Sequence, residues 1–311
     1  MKVDGLHHIT AITAEIEANV DFYGRLLGLR LVWQGVSADD PEMRHVAYGD
    51  ERGSPGSVIT FFDMPGVARG RAGGGMVHRV LLRVADANAL DFWERRLGGA
   101  GVETNRLANQ LLFADPDGLV LGLIGDDGGD EPLIAHAADV DGEVAIRGMH
   151  AVRAYSADPA QSAALLGDVL GMEPEGEGHW LAQGDRRHSL LVYDEPPEDP
   201  GQVGAGTVHH VAFTIRDGEE QRWRERVAAA ALRPTRVMDR KTNKSIYFRE
   251  PSRVLLELAT DQPGFVFEPT DSLGESLMLV GDLENRRAEL EQRFPLLANP
   301  RGAMDNWSAT C

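Results

Sequence analysis

The chain has 311 residues, 42% hydrophobic and 26% charged, with a net charge of −18. That length suits two modest domains or a set of repeated units around a buried core. The acidity excludes nucleic acid and anionic membrane as partners, since both require a cationic face.

No apolar run approaches the roughly 20 residues that span a bilayer. Nothing at the N-terminus reads as a signal peptide, and the single cysteine, Cys311, rules out an internal disulfide framework. A cytoplasmic protein is expected, and a homo-oligomer is compatible with the sequence.

Gly5-Leu6-His7-His8-Ile9-Thr10 opens the chain as a strand. A helix of about three turns follows and ends at Gly28, and short strands close this unit near residue 65. The glycine-rich stretch 66–75 reads as a connector rather than an anion site. The alternating run His78 to Val84 is a second strand, followed by a helix through Ala89-Leu90-Asp91-Phe92-Trp93. Asp115-Pro116-Asp117-Gly118 is a turn between the strands that close this unit.

Residues 125–132 form an acidic linker. Gly148-Met149-His150-Ala151 then restarts the pattern, with a helix ending at Gly171. Thr207-Val208-His209-His210-Val211 starts it a fourth time. The spacing predicts four βαβββ modules at 5–65, 76–126, 147–195 and 206–261, an α+β fold of two tandem pairs split as 1–130 and 146–311. An amphipathic helix over 282–293 and a loose tail from 299 complete the chain.

The repeats differ where chemistry is concentrated. His8 and His210 are replaced in the sister modules by Ala151 and Arg79, whereas His7 and His209 persist there as His150 and His78. Glu257, in Phe248-Arg249-Glu250-Pro251 through Glu257, corresponds to Gly122 in Phe113-Ala114-Asp115-Pro116 through Gly122. Two histidines and one carboxylate are kept together and lost together.

Adjacent strand residues face opposite ways, so only one member of each His-His pair points at a common centre, and the pattern of loss selects His8 and His210. A carboxylate among Leu255, Leu256 and Leu258 is costly unless it pairs with an arginine or binds a metal. His78 and His150 read as ordinary strand histidines without a carboxylate partner. Counted from Pro55 against Pro251, the residue of the first module that matches Glu257 is Phe61, so no fourth ligand is expected. Two imidazoles and one carboxylate suit non-haem Fe(II), with Mn(II) as a substitute.

These residues carry a resemblance. Gly5-Leu6-His7-His8-Ile9-Thr10, Gly53-Ser54-Pro55-Gly56, Val208-His209-His210-Val211-Ala212-Phe213, Ser245-Ile246-Tyr247-Phe248-Arg249-Glu250-Pro251 and Ala259-Thr260-Asp261-Gln262-Pro263-Gly264-Phe265 together resemble the vicinal oxygen chelate superfamily. Within it, they are similar to the hydroquinone-type ring-cleaving dioxygenases, over nearly the whole chain.

The resemblance implies a metal cup built by modules 1 and 4, with Fe(II) on His8, His210 and Glu257. It also implies catalytic roles for His7, Thr10, His209, Tyr247 and Arg240, and a small aromatic substrate with O2 as co-substrate. Lys241-Thr242-Asn243-Lys244 departs from the family, which more usually has an aromatic pair there. A catechol extradiol dioxygenase on the same triad, a glyoxalase-like lyase or thiol transferase, and a non-catalytic binding protein are the alternatives.

Overall fold

The computed structural model describes residues 1–126, 129–264 and 272–300; part of the acidic linker, Phe265 and the tail from 301 with Cys311 lie outside them. Four βαβββ modules follow in order. The first contains β1 (Leu6–Thr13), α1 (Ile16–Val20), β2 (Arg30–Val36), β3 (Arg44–Gly49) and β4 (Val58–Asp63). The second contains β5 (Val77–Val84), α2 (Ala87–Gly99), β6 (Asn105–Leu107), β7 (Gln110–Ala114) and β8 (Val120–Gly125).

In the third module β9 (Met149–Tyr155) leads through short helical turns to β10 (Glu173–Gly176), β11 (His179–Gln183) and β12 (His188–Asp194). The fourth contains β13 (Val208–Ile215), α3 (Glu220–Ala229), β14 (Met238–Asp239), β15 (Lys244–Arg249) and β16 (Leu255–Thr260).

The modules pair as 1 with 4 and 2 with 3. One eight-stranded sheet runs β14-β15-β16-β13-β1-β4-β3-β2 and the other β10-β11-β12-β9-β5-β8-β7-β6. Each therefore takes one module from each half of the chain. Their centres are the antiparallel pairs β1–β13 and β5–β9. Through these centres the two modules of a sheet are related by a pseudo-twofold.

Strand alternation divides the residues between two destinations. Ile9, Ala11, Val211 and Phe213 enter a core shared with Val80, Val152 and the helix residues Trp93 and Trp223. Both indoles are fully buried, and truncating either to Ala would cost about 3–5 kcal/mol. The opposite face of the first sheet carries the polar set.

Corresponding turns are held by buried acids. Asp115 accepts from the Leu119 amide and the Tyr23 hydroxyl, and Glu250 accepts from the amides of Ser252 and Val254. Burial pushes Asp115 up to about 6.

The glycine-rich connector pairs with the 201–205 loop. Arg71 and Gln202 exchange both backbone hydrogen bonds at 2.8 Å, and a Cβ on Gly73 would stand 2.2 Å from the Gly201 nitrogen. At the C-terminal end, a tight turn at Gly281–Arg286 precedes α4 (Arg287–Arg293), which buries Leu290 against Val36, Leu277 and Leu279. No helix among the described residues is long and apolar enough to cross a membrane.

Candidate metal centre

Two bulges shape the cup at the β1–β13 junction. The register passes from Leu6–Phe213 to His8–Ala212, leaving His7 as the extra residue, and from Thr10–His210 to Ala11–Val208, leaving His209 as the other. A bulge sets two residues of one strand against one of its partner, so the strict opposition expected of neighbours fails here. The Nδ1 atoms of His7 and His8 approach to 2.9 Å, and those of His209 and His210 to 2.8 Å.

The cup gathers the three residues erased from the sister modules. His8 Nε2 and His210 Nε2 lie 3.1 and 2.9 Å from Glu257 Oε2 and 3.3 Å from each other. All three side chains are buried. Glu257 meets neither Arg249 nor Arg253, and Arg240 instead pairs with Asp39 at 2.6 Å.

Hydrogen bonding fixes the tautomers of His7 and His8. The Thr260 carbonyl only accepts, so His7 donates to it from Nε2 at 3.1 Å and keeps Nδ1 as an acceptor. His8 then donates from Nδ1 and turns an unprotonated Nε2 into the cup. Glu257 has no hydrogen-bond partner at either oxygen. His8 Nε2, His210 Nε2 and the Glu257 carboxylate thus converge as three buried potential metal donors, an arrangement that fits a divalent cation. Two imidazole nitrogens and one carboxylate form a donor set for Fe(II) or Mn(II).

The electrostatics match. Burial raises the Glu257 carboxyl, whereas His8 and His210, acting as cations or N–H donors whenever no metal is bound, lower it well below the usual range. Burial lowers His210 and pushes His7 down to about 3 and His209 to about 4. His7, His209 and His210 are therefore neutral near pH 7, the form in which imidazole binds metal.

Thr10 bonds His210 Nε2 at 3.0 Å and the Thr60 hydroxyl at 2.9 Å. His45 bonds the same Thr60 hydroxyl at 2.9 Å and was absent from the sequence reading. Alternation in β3 contains the signal, because Val46 and Tyr48 enter the core and His45 must face the cup. Tyr247 stands opposite Glu257 in register, with its ring 5.4 Å from that of His210. The Arg240 guanidinium lies over Tyr247, 5.2 Å from the ring centre.

Above the triad is a cavity of about 340 Å³, walled by Trp33, Phe62, Met238 and Leu255 with His209, Arg240 and Asn243 among its polar groups. His7 lies behind His8 and outside this wall.

The register corrects one expectation. Glu257 pairs with Ala212, two residues after His210, and the corresponding partner of Thr10, two residues after His8, is Thr60. The counterpart of Glu257 is therefore Thr60, while Phe61 points into the core. The absence of a second carboxylate as fourth ligand is unchanged among the described residues.

The second sheet shows what replaces the triad. Ala151 and Leu81 form a small apolar cluster with Leu112, against which Leu190 packs. A Cβ on Gly122 would stand 2.6 Å from Leu81 Cδ2 and 2.8 Å from Leu112 Cδ2. The position of the second cup is thus filled by hydrocarbon. His78 and His150 do have carboxylate partners, contrary to expectation: they meet Asp194 and Asp126, both at 2.8 Å.

Modules, cup and register agree with the family comparison, which matches the Glyoxalase/Bleomycin resistance protein/Dioxygenase superfamily over residues 5–123 and 148–258. The chain belongs to this superfamily. One relative within it, from Bacillus subtilis strain 168, is named "Putative ring-cleaving dioxygenase MhqO"; it is 38% identical over 94% of this chain and 96% of its own. The chlorohydroquinone/hydroquinone 1,2-dioxygenase of Sphingobium indicum is 30% identical over 93% and 95%. A crystal structure titled as a "putative dioxygenase" from Bacillus subtilis superposes with a TM-score of 0.87 at 37% identity, covering 94% of this chain and 96% of that one.

Proposed function

We propose that this superfamily member is a ring-cleaving dioxygenase that opens a substituted para-hydroquinone, with Fe(II) held by His8, His210 and Glu257 and Mn(II) as an alternative ion. The observation that carries the reading is the convergence of three buried donors, His8, His210 and Glu257, beneath an aromatic-walled cavity. The names of the relatives support the reaction class.

When bound, the metal supplies a redox centre with open positions for a ring hydroxyl and O2. Both oxygen atoms enter the product as the ring bond beside that hydroxyl breaks.

The protein's own residues do the rest. Trp33 and Phe62 flank the ring and exclude water. His209, neutral and against the cavity, can take a hydroxyl proton. Thr10 offers a hydroxyl beside His210, and Arg240, stacked on Tyr247, places a fixed positive charge where negative charge develops on the ring. His7 touches no substrate and acts by orienting His8. With Thr60 in the position of a second carboxylate, the donor set stays at three, which weighs against a lyase with closed coordination.

The test is O2 consumption by protein loaded anaerobically with Fe(II), offered hydroquinone or catechol. Stoichiometric uptake with a ring-opened product from hydroquinone is expected, and none from Glu257→Gln. Uptake with catechol alone would move the enzyme to the extradiol reaction. Normal turnover by Glu257→Gln would refute the triad.

A further inference from the structure

Asn243 lies in the turn between β14 and β15, closed by the Arg240 amide donating to the Asn243 carbonyl at 2.9 Å. Its side chain lines the cavity, the residue is only 4% exposed, and its Oδ1 has no hydrogen-bond partner among the described residues. Leaving a buried amide oxygen unpaired costs about 1–3 kcal/mol.

Several other polar groups of the wall are committed within the protein. Arg240 is held by Asp39, Thr10 by Thr60 and His210, and His45 by Thr60. The Asn243 amide is buried, faces the space a ligand would fill, and lacks a partner that a ligand can supply.

Its position is set by register. Tyr247 pairs with Glu257, and Asn243 is four residues earlier, in the turn just before β15 begins at Lys244. At about 3.3 Å per residue Lys244 is roughly 10 Å along the strand from Tyr247, so Asn243 lies beyond that end of β15, away from the level of Glu257. A ring with an oxygen at Glu257 would direct its para substituent toward Asn243. The two adjacent hydroxyls of a catechol would both remain near the triad. A hydroxyl both donates and accepts, so it satisfies either edge of the amide.

Resting on the proposed ring-cleaving function, we infer that Asn243 is a specificity-determining residue, whose side-chain amide hydrogen-bonds a ring hydroxyl at the end away from Glu257. The class selected is an aromatic ring with oxygens at both ends.

Anaerobic calorimetric titration of the Fe(II)-loaded protein tests this without turnover, using hydroquinone and phenol as probes. The wild type is expected to bind hydroquinone about tenfold more tightly than phenol, one hydrogen bond's worth. Asn243→Ala and Asn243→Leu should bring that ratio near one while binding phenol as the wild type does, which also reports that the cavity is intact. In turnover, Asn243→Ala should raise KM for hydroquinone about tenfold and leave kcat within about twofold.

Equal binding of the two probes by the wild type would overturn the inference, with no variant needed. So would an unchanged ratio in both variants. Failure of the dioxygenase reading looks different: the binding ratio would respond to Asn243, yet admitting air would give no O2 uptake.

Discussion

Thr60 occupies in the first module the register position that Glu257 occupies in the fourth, each paired with the residue two places beyond a cup histidine. One carboxylate and one hydroxyl therefore face each other across a pseudo-twofold, and the hydroxyl is engaged by Thr10 and His45.

Replacing that hydroxyl with a carboxylate should close the coordination. Thr60→Glu is expected to retain Fe(II) or Mn(II) against a chelator better than the wild type while losing O2 uptake, because a fourth protein donor takes a position the reaction leaves open. Metal content after chelator dialysis, set beside oxygen-electrode traces, checks both halves. Full activity together with tighter metal would show that Thr60 does not border an open position.

In the proposed site His7 acts through His8. The chain from the Thr260 carbonyl to His7 Nε2, and from His7 Nδ1 to His8 Nδ1, keeps His8 Nε2 unprotonated. His7→Phe preserves bulk but removes the acceptor, and metal affinity should fall 10–100-fold, as for other outer hydrogen-bond partners of ligating histidines. A competition titration with a metal-binding dye measures it, with circular dichroism confirming the fold. An unchanged affinity would return His7 to a packing role.

The fold was legible in the sequence as far as repeats reached. The four modules follow from strand alternation and from Gly28 and Gly171 closing corresponding helices at positive φ. The triad was legible because His8, His210 and Glu257 vanish together from the sister units. What failed was counting through loops. Alignment on Pro55 and Pro251 selected Phe61, because the first module takes one residue fewer to bring its strand into register. Alternation also gave no warning of the bulges that bring His7 and His209 against their neighbours, since a bulge is a property of strand pairing. The carboxylates beside His78 and His150 come from other strands and linkers, and no local pattern announces them.

Asp115 should make stability depend on pH. Burial raises its folded pKa from 3.8 to about 6, so the folded state holds the proton more tightly than the unfolded chain. The stability this contributes is complete below the unfolded value and is lost as pH rises through the folded one, by ~3 kcal/mol. Asp115→Asn retains an acceptor for the Leu119 amide and stays neutral. The stability of the wild type relative to Asp115→Asn should therefore fall by most of that amount between pH 4 and pH 7 in urea titrations. A constant difference would mean the carboxyl is ionised in the folded protein throughout.

The filled cup of the second sheet should resist even a methyl group. Gly122→Ala drives a Cβ to 2.6 Å from Leu81 Cδ2, and overpacking of this kind costs about 1–3 kcal/mol. Denaturant unfolding should show the loss with metal affinity unchanged, since His8, His210 and Glu257 belong to the other sheet. A neutral substitution would show that Leu81 and Leu112 have room to move.

The nesting of one sheet's sequence inside the other's sets an order in time. As the chain leaves the ribosome, β5 to β12 are complete and can pair while β13 to β16 are still unmade. Until β13 emerges, β1 has an open edge beside His8, a strand edge able to pair with a neighbouring chain. No cation can find its three donors before Glu257 has been synthesised. Binding of the proposed cation thus has to follow synthesis of Glu257, and until β13 pairs with β1 the exposed β1 edge leaves the chain open to pairing with a neighbour.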